Sequence, residues 1–387
     1  MHNPVTQPQY SFASPLPKKI RKVGAPLTVI ILLGTLAALV LILITSVNPV
    51  GAVIGFVLTT AAMTVVLLAY LWLDRWEPEP PRLLVFAFLW GASIAVVLSV
   101  VLEVVAEAVV NPAATVESET SFFTVAVGAP LIEEAAKGMF LLVMMTGMRR
   151  IELNSLTDCL VYAGLVGAGF GWMEDIFYIA NAESLGASLA TAAMRLIMAP
   201  FAHPLFTTFI GIGVYFALQR RNVLGKLACL VLGYAVAVIM HGLWNGSALV
   251  GIEAYFTVYA LWMVPIFALT ITLAVHSRRR EQRITAAKLP GMVAAALVTP
   301  NEATWLSSIR TRKAAIDHAR RFGGTRAGKE VKGFAAQVIE LAFVRDRIDR
   351  GFGDQRVHNL LNEETQGVYA ARAHAPALQA MAGYLAP

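Results

Sequence analysis

Residues 129–145 read APLIEEAAKGMFLLVMM, an apolar helix-forming stretch that contains Glu133, Glu134 and Lys137. A membrane-spanning helix needs about 20 mostly apolar residues, and an ionisable side chain at its centre costs about 2.5 to 3.5 kcal/mol on insertion scales. Such side chains are therefore kept where they face the inside of a helix bundle or a water-filled cavity. The stretch predicts a membrane helix whose charged face points toward other helices.

The composition is that of a polytopic membrane protein. Hydrophobic residues make up 57% of the 387 residues, charged residues make up 14%, and the mean hydropathy is +0.64. These values exclude an ordinary soluble domain. Cys159 and Cys229 both fall in or beside apolar segments, so neither a disulfide framework nor a CxxC metal site is predicted.

Eight apolar stretches are long enough to cross a bilayer, so we predict an all-α polytopic membrane helix bundle of about eight transmembrane helices. The stretches are residues 26–47, 50–73, 83–110, 122–147, 157–181, 192–218, 227–249 and 255–275. We expect a basic N-terminus at 1–24 and a transmembrane domain at 25–276, with its catalytic core at about 120–250. A small helical cytoplasmic domain is expected at 277–387.

Basic residues are distributed unequally between the two sides of the predicted spans. One side receives fifteen Lys and Arg residues, from KKIRK at 18–22 to RRREQR at 278–283. The other side receives only Arg195, together with the acidic loop NPAATVESET at 111–120. By the positive-inside rule, we predict a multi-pass protein of the cell membrane with both termini in the cytoplasm.

The C-terminal tail is basic, with 18 Lys and Arg against 10 Asp and Glu in residues 278–387. Its periodicity, as in EVKGFAAQVIELAFVRDRI, predicts helices, and FGGTRAG marks a break. A basic segment beside a bilayer is more often attracted to anionic lipid headgroups than to nucleic acid. We therefore expect contact between the tail and anionic lipids, and we do not expect nucleic-acid binding.

Four consecutive spans carry ionisable residues. Besides the fourth span, the fifth holds Glu174 and Asp175 in GFGWMEDIF, the sixth holds His203 and the seventh holds His241. Glu133, Glu174, His203 and His241 each lie 15 to 17 residues from the cytoplasmic end of their own span. At about 1.5 Å per residue, this places all four roughly 22 to 26 Å from that edge of the membrane. The common depth predicts a layer of interacting groups in the outer half of the bilayer.

Glu103 and Glu107 stand apart from this layer. They lie near the outer end of the third span. We expect both to lie at the membrane interface and to hydrate there, without a functional role.

In this order the motifs resemble those of the PrsW family of intramembrane proteases. The matching motifs are EExxK at 133–137, FxxxE at 170–174, His203, and HxxxN at 241–245. The family is distantly similar to the CAAX prenyl endopeptidases and the bacteriocin-immunity proteins. The sequence departs from the pattern at Asp175, where an asparagine is expected, and it places Thr207 four residues after His203. The resemblance covers about residues 120–250.

The chemistry of peptide hydrolysis assigns different roles to these residues. It needs an activated water, a group that stabilises the oxyanion and a proton donor to the leaving amine. Adjacent helical residues point about 100° apart, so Glu133 and Glu134 have different roles. We predict that Glu133 activates the water, as the CAAX resemblance implies for the first glutamate, and that Glu134 pairs with Lys137. His241 and Asn245 share a helix face and suit an oxyanion site.

The sequence is compatible with a metal-dependent mechanism and with a metal-free one. His203, His241 and Glu174 would make a three-ligand set with an open position for water, as in catalytic Zn²⁺ sites. The PrsW resemblance implies a metalloprotease, whereas the CAAX kinship permits a glutamate mechanism in which no metal is ligated. The residues themselves favour neither alternative.

The best-supported function is an intramembrane endopeptidase that hydrolyses a membrane-anchored protein, and the resemblance suggests an anti-sigma factor as substrate. The sequence has no HExxH and no GxSG in a span, which excludes the zincin and rhomboid classes. The alternative is a transporter or sensor that binds a divalent cation or relays protons through the same Glu and His residues. It is less favoured because a transporter typically shows paired repeats, whereas these residues occupy only spans four to seven.

The predicted orientation can be tested by labelling single introduced cysteines with a membrane-impermeant maleimide in intact cells. Cysteines at 112–120 should react, and cysteines at 1–22, 148–156 and 278–387 should react only after permeabilisation, because the basic residues keep those segments inside. Labelling of the 278–387 segment in intact cells would contradict the orientation.

Overall fold

The computed structural model describes residues 28–29, 31–36, 38–39, 48–76, 78–110, 121–352 and 355–386. Helices are the regular secondary structure there, and these residues contain no strand. The predicted first span, 26–47, lies largely outside the described residues, and the loop 111–120 lies wholly outside them. The chain divides into two compact units, Val23–Glu281 and a second unit that contains Gln282–Pro387.

The membrane unit consists of helices joined by short turns. In chain order these are α1 (Pro49–Leu73), α2 (Pro81–Leu89), α3 (Val96–Val110), α4 (Ala129–Met144), α5 (Leu156–Ala180), α6 (Leu185–Ala192), α7 (Ala202–Leu218), α8 (Val223–Val250), α9 (Ile252–Val258) and α10 (Val264–Ala294), whose last residues belong to the second unit. Several of them are continued by π-helical turns, at Trp90–Ala95, Thr124–Gly128, Ala193–Met198 and Tyr259–Met263.

Six helical stretches of the described residues are long and apolar enough to cross a membrane. They are Pro49–Leu73, Pro81–Val109, Leu156–Ala180, Leu185–Leu218, Val223–Val250 and Ile252–Ala294. The predicted fourth span is absent from this set because its helix, continuous over 122–144, carries three charged side chains close together, Glu133, Glu134 and Lys137. The protein is thus an all-α, multi-pass membrane helix bundle, as the sequence predicts, and the total of eight spans stays a prediction.

Helix α5 is the central helix of the membrane unit. It begins with a capping box, in which the Asp158 amide donates to Ser155 Oγ and the Ser155 amide donates to Asp158 Oδ2 at 2.7 Å. Most of its length is buried, because α1, α2 and α7 all pack against it. Among the helices that carry site residues, α7 and α4 pack on α5, and α8 packs on α7 and α4.

Glycines let α5 and its neighbours approach to backbone contact. A Cβ atom on Gly91 would lie 1.9 Å from the Val166 carbonyl oxygen, and one on Gly169 would lie 1.9 Å from the Phe88 carbonyl oxygen. Small residues at such crossings are the usual means by which membrane helices pack tightly, since lipid supplies no hydrophobic force between them.

Two further glycines bring the site-bearing helices together. A Cβ atom on Gly167 of α5 would lie 2.5 Å from the His203 carbonyl oxygen of α7. A Cβ atom on Gly242 of α8 would lie 2.4 Å from the Ala126 carbonyl oxygen, in the π-helical turn that precedes α4. These two close backbone contacts hold His203 of α7 near α5 and His241 of α8 near α4.

The described part of the second unit is helical, as predicted for the tail. It contains α11 (Pro300–Leu306), α12 (Ile309–Arg347), α13 (Gln355–Ala373) and α14 (Ala377–Ala380). Buried Trp305 and Phe334 lie in its core, and Arg372 binds both carboxylate oxygens of Glu302, at 2.8 and 2.5 Å. Helix α12 bends at Gly324, whose φ of 72° is the left-handed conformation that glycine permits. Its cytoplasmic location stays a prediction.

The close packing of α2 on α5 can be tested with Gly169→Ala. The added methyl group meets the Phe88 carbonyl oxygen, so the helices must separate, and we expect a loss of about 1 to 3 kcal/mol in stability. Thermal unfolding of the purified protein in detergent measures the loss. Gly186→Ala is the matched control, because a Cβ atom there meets nothing closer than Ser184 Oγ at 4.0 Å. Equal melting temperatures for the two variants would contradict the packing.

Candidate active site

The charged face of α4 is buried inside the membrane unit. Glu133 is 6% exposed, and Glu134 and Lys137 are fully buried. The Lys137 ammonium donates to Glu134 Oε1 at 2.8 Å and to Glu133 Oε2 at 3.2 Å, and it lies 3.7 Å from the centre of the Phe170 ring. Because buried charges are tolerated only when they are paired, this one ammonium stabilises both carboxylates.

Glu134 has partners on three helices. In addition to Lys137 on α4, it accepts from Thr207 Oγ1 on α7 at 3.3 Å and from His241 Nδ1 on α8 at 3.0 Å. A carboxylate oxygen is an acceptor, so the His241 proton resides on Nδ1 and the lone pair remains on Nε2. Glu134 thereby fixes the tautomer and the orientation of His241, as carboxylates do for histidines in metal sites.

Glu133 faces the other nitrogen of the same histidine. Its Oε2 lies 3.8 Å from His241 Nε2, a distance that is too long for a hydrogen bond. Both atoms are close enough to contact one water molecule or one metal ion placed between them. The His241 ring is held in this position by Phe206, which stacks on it at 4.8 Å between centroids.

His203 connects α4 to α5. Its Nδ1 lies 3.1 Å from the Lys137 ammonium, which can only donate, so Nδ1 accepts. Its Nε2 contacts Glu174 Oε2 and donates to it. The ring packs against Phe170 at 5.2 Å, and Gly171 leaves room for its edge. The structure thus brings Lys137, His203 and Glu174 into one chain of polar contacts.

Arg195 belongs to the same polar cluster, although its position in the sequence predicted only the orientation of the chain in the membrane. It donates to Glu174 Oε2 at 2.6 Å and to Asp175 Oδ1, and its guanidinium lies 4.1 Å from the Tyr178 ring centre. Asp175, which stands where the family pattern has an asparagine, therefore adds a negative charge that Arg195 balances. The sequence does contain a sign of this role: a single arginine lies within an apolar stretch, and two acidic residues precede it on the neighbouring span.

Three of these residues are placed to hold a metal ion. Glu133, His203 and His241 each offer one ligand atom, and these atoms lie within 4.8 Å of one another. Two imidazoles and a carboxylate are a ligand set of catalytic zinc sites, so the residue types fit a metal. To bind it, His203 would exchange its contact with Lys137 or with Glu174 for the ion. The predicted set has Glu174 in place of Glu133, and in the structure Glu174 is held by His203 and Arg195. Which carboxylate completes the ligand set stays a prediction.

Two cavities reach this cluster. The first, of about 440 Å³, is lined by Glu133, Glu174 and residues of α3, including Glu103, and we call it the glutamate cavity. The second, of about 330 Å³, is lined by His203, Asp175 and Arg195, and we call it the arginine cavity. Glu103 was expected only to hydrate at the membrane interface; the structure places it on a cavity wall beside the site.

Asn245 lies at the edge of the cluster. Its side chain donates from Nδ2 to the Val125 carbonyl oxygen at 3.2 Å, and Asn245 lines both cavities. It therefore stands where the two cavities come close to each other, four residues along α8 from His241. Its predicted role toward an oxyanion stays a prediction.

Part of the chain is similar to a known protein family. Residues 79–270 match the family model described as PrsW family intramembrane metalloprotease. The matched range contains every residue of the cluster, from Glu133 to Asn245. It also contains the charged residues that line the two cavities. No curated protein and no solved structure matches the chain.

The two glutamates of α4 should differ in their effect on stability. Glu134→Ala removes a carboxylate with three partners and leaves Lys137 and His241 without it, so we expect a loss of about 3 to 5 kcal/mol. Glu133→Ala should cost less, because Lys137 keeps its shorter contact with Glu134. Unfolding in detergent with increasing denaturant measures both. Exposed Glu253 gives the control variant Glu253→Ala, and equal losses for Glu133→Ala and Glu134→Ala would contradict the assignment.

Proposed function

By its residues 79–270 the chain belongs to the PrsW family of intramembrane metalloproteases, and we propose that it hydrolyses a peptide bond of a membrane-anchored protein near the outer face of the membrane. The family shows that the protein is a protease; the peptide bond that it cleaves and the substrate that carries this bond are our proposal. The observation that carries it is the position of Glu133, which lines a cavity and faces His241 Nε2 at 3.8 Å.

Glu133 is the general base in this proposal. Glu134 is engaged by three partners and orients His241, whereas Glu133 has one long hydrogen bond and reaches the cavity. Glu133 takes a proton from the attacking water and returns it to the leaving amine, since one carboxylate can serve as base and then as acid. Lys137 keeps the adjacent carboxylate charged and the histidines in place.

The histidines would hold the metal that the family description implies. His203, His241 and a carboxylate, Glu133 or Glu174, would bind it, and Zn²⁺ suits this ligand set best. When bound, the metal polarises the substrate carbonyl and makes a bound water more acidic. Glu134 keeps the lone pair of His241 on Nε2, where it faces Glu133.

Asn245 is proposed to stabilise the developing oxyanion. An amide nitrogen carries two hydrogens, and the contact with the Val125 carbonyl oxygen uses one of them. Asn245 lines both cavities, so a peptide bond next to Glu133 lies within reach of the amide. His241, whose Nδ1 proton is donated to Glu134, has no proton left for this group and is assigned to the metal instead.

The setting of the reaction is also a proposal. The distribution of basic residues supports cytoplasmic termini in the cell membrane, and the basic tail supports contact with anionic lipids. The family resemblance supports an anti-sigma factor as the substrate.

Glu133→Gln and His241→Ala should each lower cleavage by about 10³-fold or more, because the first removes the proposed general base and the second removes a proposed holder of the metal. Combining the two should cost little more than either alone, since residues of one catalytic unit are not additive. Cleavage of tagged single-span proteins in reconstituted membranes, with and without a chelator, measures the effect. Metal content of Glu133→Gln separates the two roles: a retained metal identifies a base, and a lost metal identifies a ligand.

Two matched controls lie outside the cluster. Exposed Glu253 and His276 give Glu253→Gln and His276→Ala, which should cleave like the wild type. Near-normal cleavage by Glu133→Gln and His241→Ala would refute the protease site and favour the transporter or sensor that binds a cation through the same residues.

A further inference from the structure

One wall of the glutamate cavity is formed by α3, which contributes no residue to the family motifs. Ser99 and Glu103 both line this cavity, and they are four residues apart, so they share one face of the helix. Glu133 and Glu174 line the same cavity. A group bound between Ser99 and Glu103 would therefore lie beside the reacting atoms.

Ser99 is a buried hydroxyl group without a hydrogen-bond partner among the described residues. It is 2% exposed, and its Oγ has no acceptor or donor within reach. Several other hydroxyls of the membrane helices donate to the carbonyl oxygen four residues earlier, as Thr64, Thr208 and Thr270 do at 2.7 to 2.9 Å, whereas buried Thr59 also has no partner among the described residues. A buried, unsatisfied hydroxyl costs about 1 to 3 kcal/mol. Because Ser99 lines a cavity instead, it is placed to bind a ligand there.

Glu103 indicates that the ligand is positively charged. Its Oε1 is buried and has no hydrogen-bond partner in the described part of the chain. The nearby cations bind other acids: Lys137 contacts the glutamates of α4, and Arg195 contacts Glu174 and Asp175. The described lining of the cavity contains three glutamates and no lysine or arginine. A ligand that brings a cation would give the buried Oε1 of Glu103 the partner that it lacks.

We propose that Ser99 and Glu103 form a substrate subsite for a lysine or arginine side chain close to the scissile bond, an inference that rests on the proposed protease function. The cation of the substrate would bind Glu103 and donate to Ser99 Oγ. Its aliphatic stem would pack on the apolar part of the wall, which includes Val96, Val100 and Phe177. Glu103 would thus be a residue that determines specificity.

The test uses single-span model substrates that differ at one position. Each carries Lys, Gln or Glu at successive positions on the outer side of the membrane segment, and mass spectrometry of the products locates the cleaved bond. The wild type in proteoliposomes should cleave the Lys substrate at least about tenfold more efficiently than the Gln or Glu substrate at one such position, since a desolvated charge pair is worth at least that factor.

Matched variants assign this preference to α3. Glu103→Gln should raise the KM for the Lys substrate about tenfold, leave kcat within about twofold and leave the Gln substrate unchanged, because a binding contact is lost and the chemistry is kept. Ser99→Ala should act in the same direction with a smaller effect, and Glu103→Arg should reverse the preference toward the Glu substrate. Val101, half exposed on another face of α3, gives the control Val101→Ala, which should behave like the wild type.

A binding measurement separates the subsite from the protease activity. Ser99→Cys should form a disulfide with a single cysteine placed next to the substrate lysine, and Val101→Cys should not. Equal cleavage of the Lys, Gln and Glu substrates, or no Ser99→Cys cross-link, would overturn the subsite and leave the proposed function standing. Cleavage of none of the substrates by the wild type would overturn the proposed function, and the cross-link would still decide whether the substrate binds in the glutamate cavity.

Discussion

The rest of the site depends on the ammonium group of Lys137. Two carboxylates on adjacent residues of one membrane helix would each cost several kcal/mol if they were buried alone. Lys137 contacts both, at 2.8 and 3.2 Å, and also lies 3.1 Å from His203 Nδ1. By pairing closely with Glu134, it leaves Glu133 to face a cavity. A single cation thus pairs with both carboxylates, and Glu133 still reaches the cavity.

These contacts require helix backbones that approach closely, and the glycines provide this. Gly167 brings α5 against the backbone of α7 at His203, and Gly242 brings α8 against the turn before α4. Side chains as short as glutamate and histidine can meet across helices only when the backbones are near. The polar cluster therefore depends on the glycine contacts, because close helix packing brings the charged side chains within reach of one another.

The sequence predicts the fold class and the membership of the cluster better than it predicts the contacts within it. Helix length and apolarity define the spans, and a common depth brings Glu133, Glu174 and the two histidines to one level. Depth says nothing about the rotation of each helix about its axis. It therefore did not show that ligand atoms of Glu133, His203 and His241 come together while Glu174 is held by His203 and Arg195. Arg195 and Ser99 were missed because an arginine near a span end and a serine within a span are common.

The π-helical turn Thr124–Gly128 has a consequence for how the motifs work together. Such a turn contains an extra residue, and one residue corresponds to a rotation of about 100° for the helix that follows. Val125 and Ala126 in this turn are also the carbonyl groups that meet Asn245 and Gly242 of α8. The register of this one turn therefore determines which face of α4 points inward. A relative that kept every motif residue but lost one residue here would turn Glu133 about 100° away from its partners, to the half-buried position that Ile132 holds. The spacing upstream of EEAAK therefore belongs to the functional signature as much as the motif residues do.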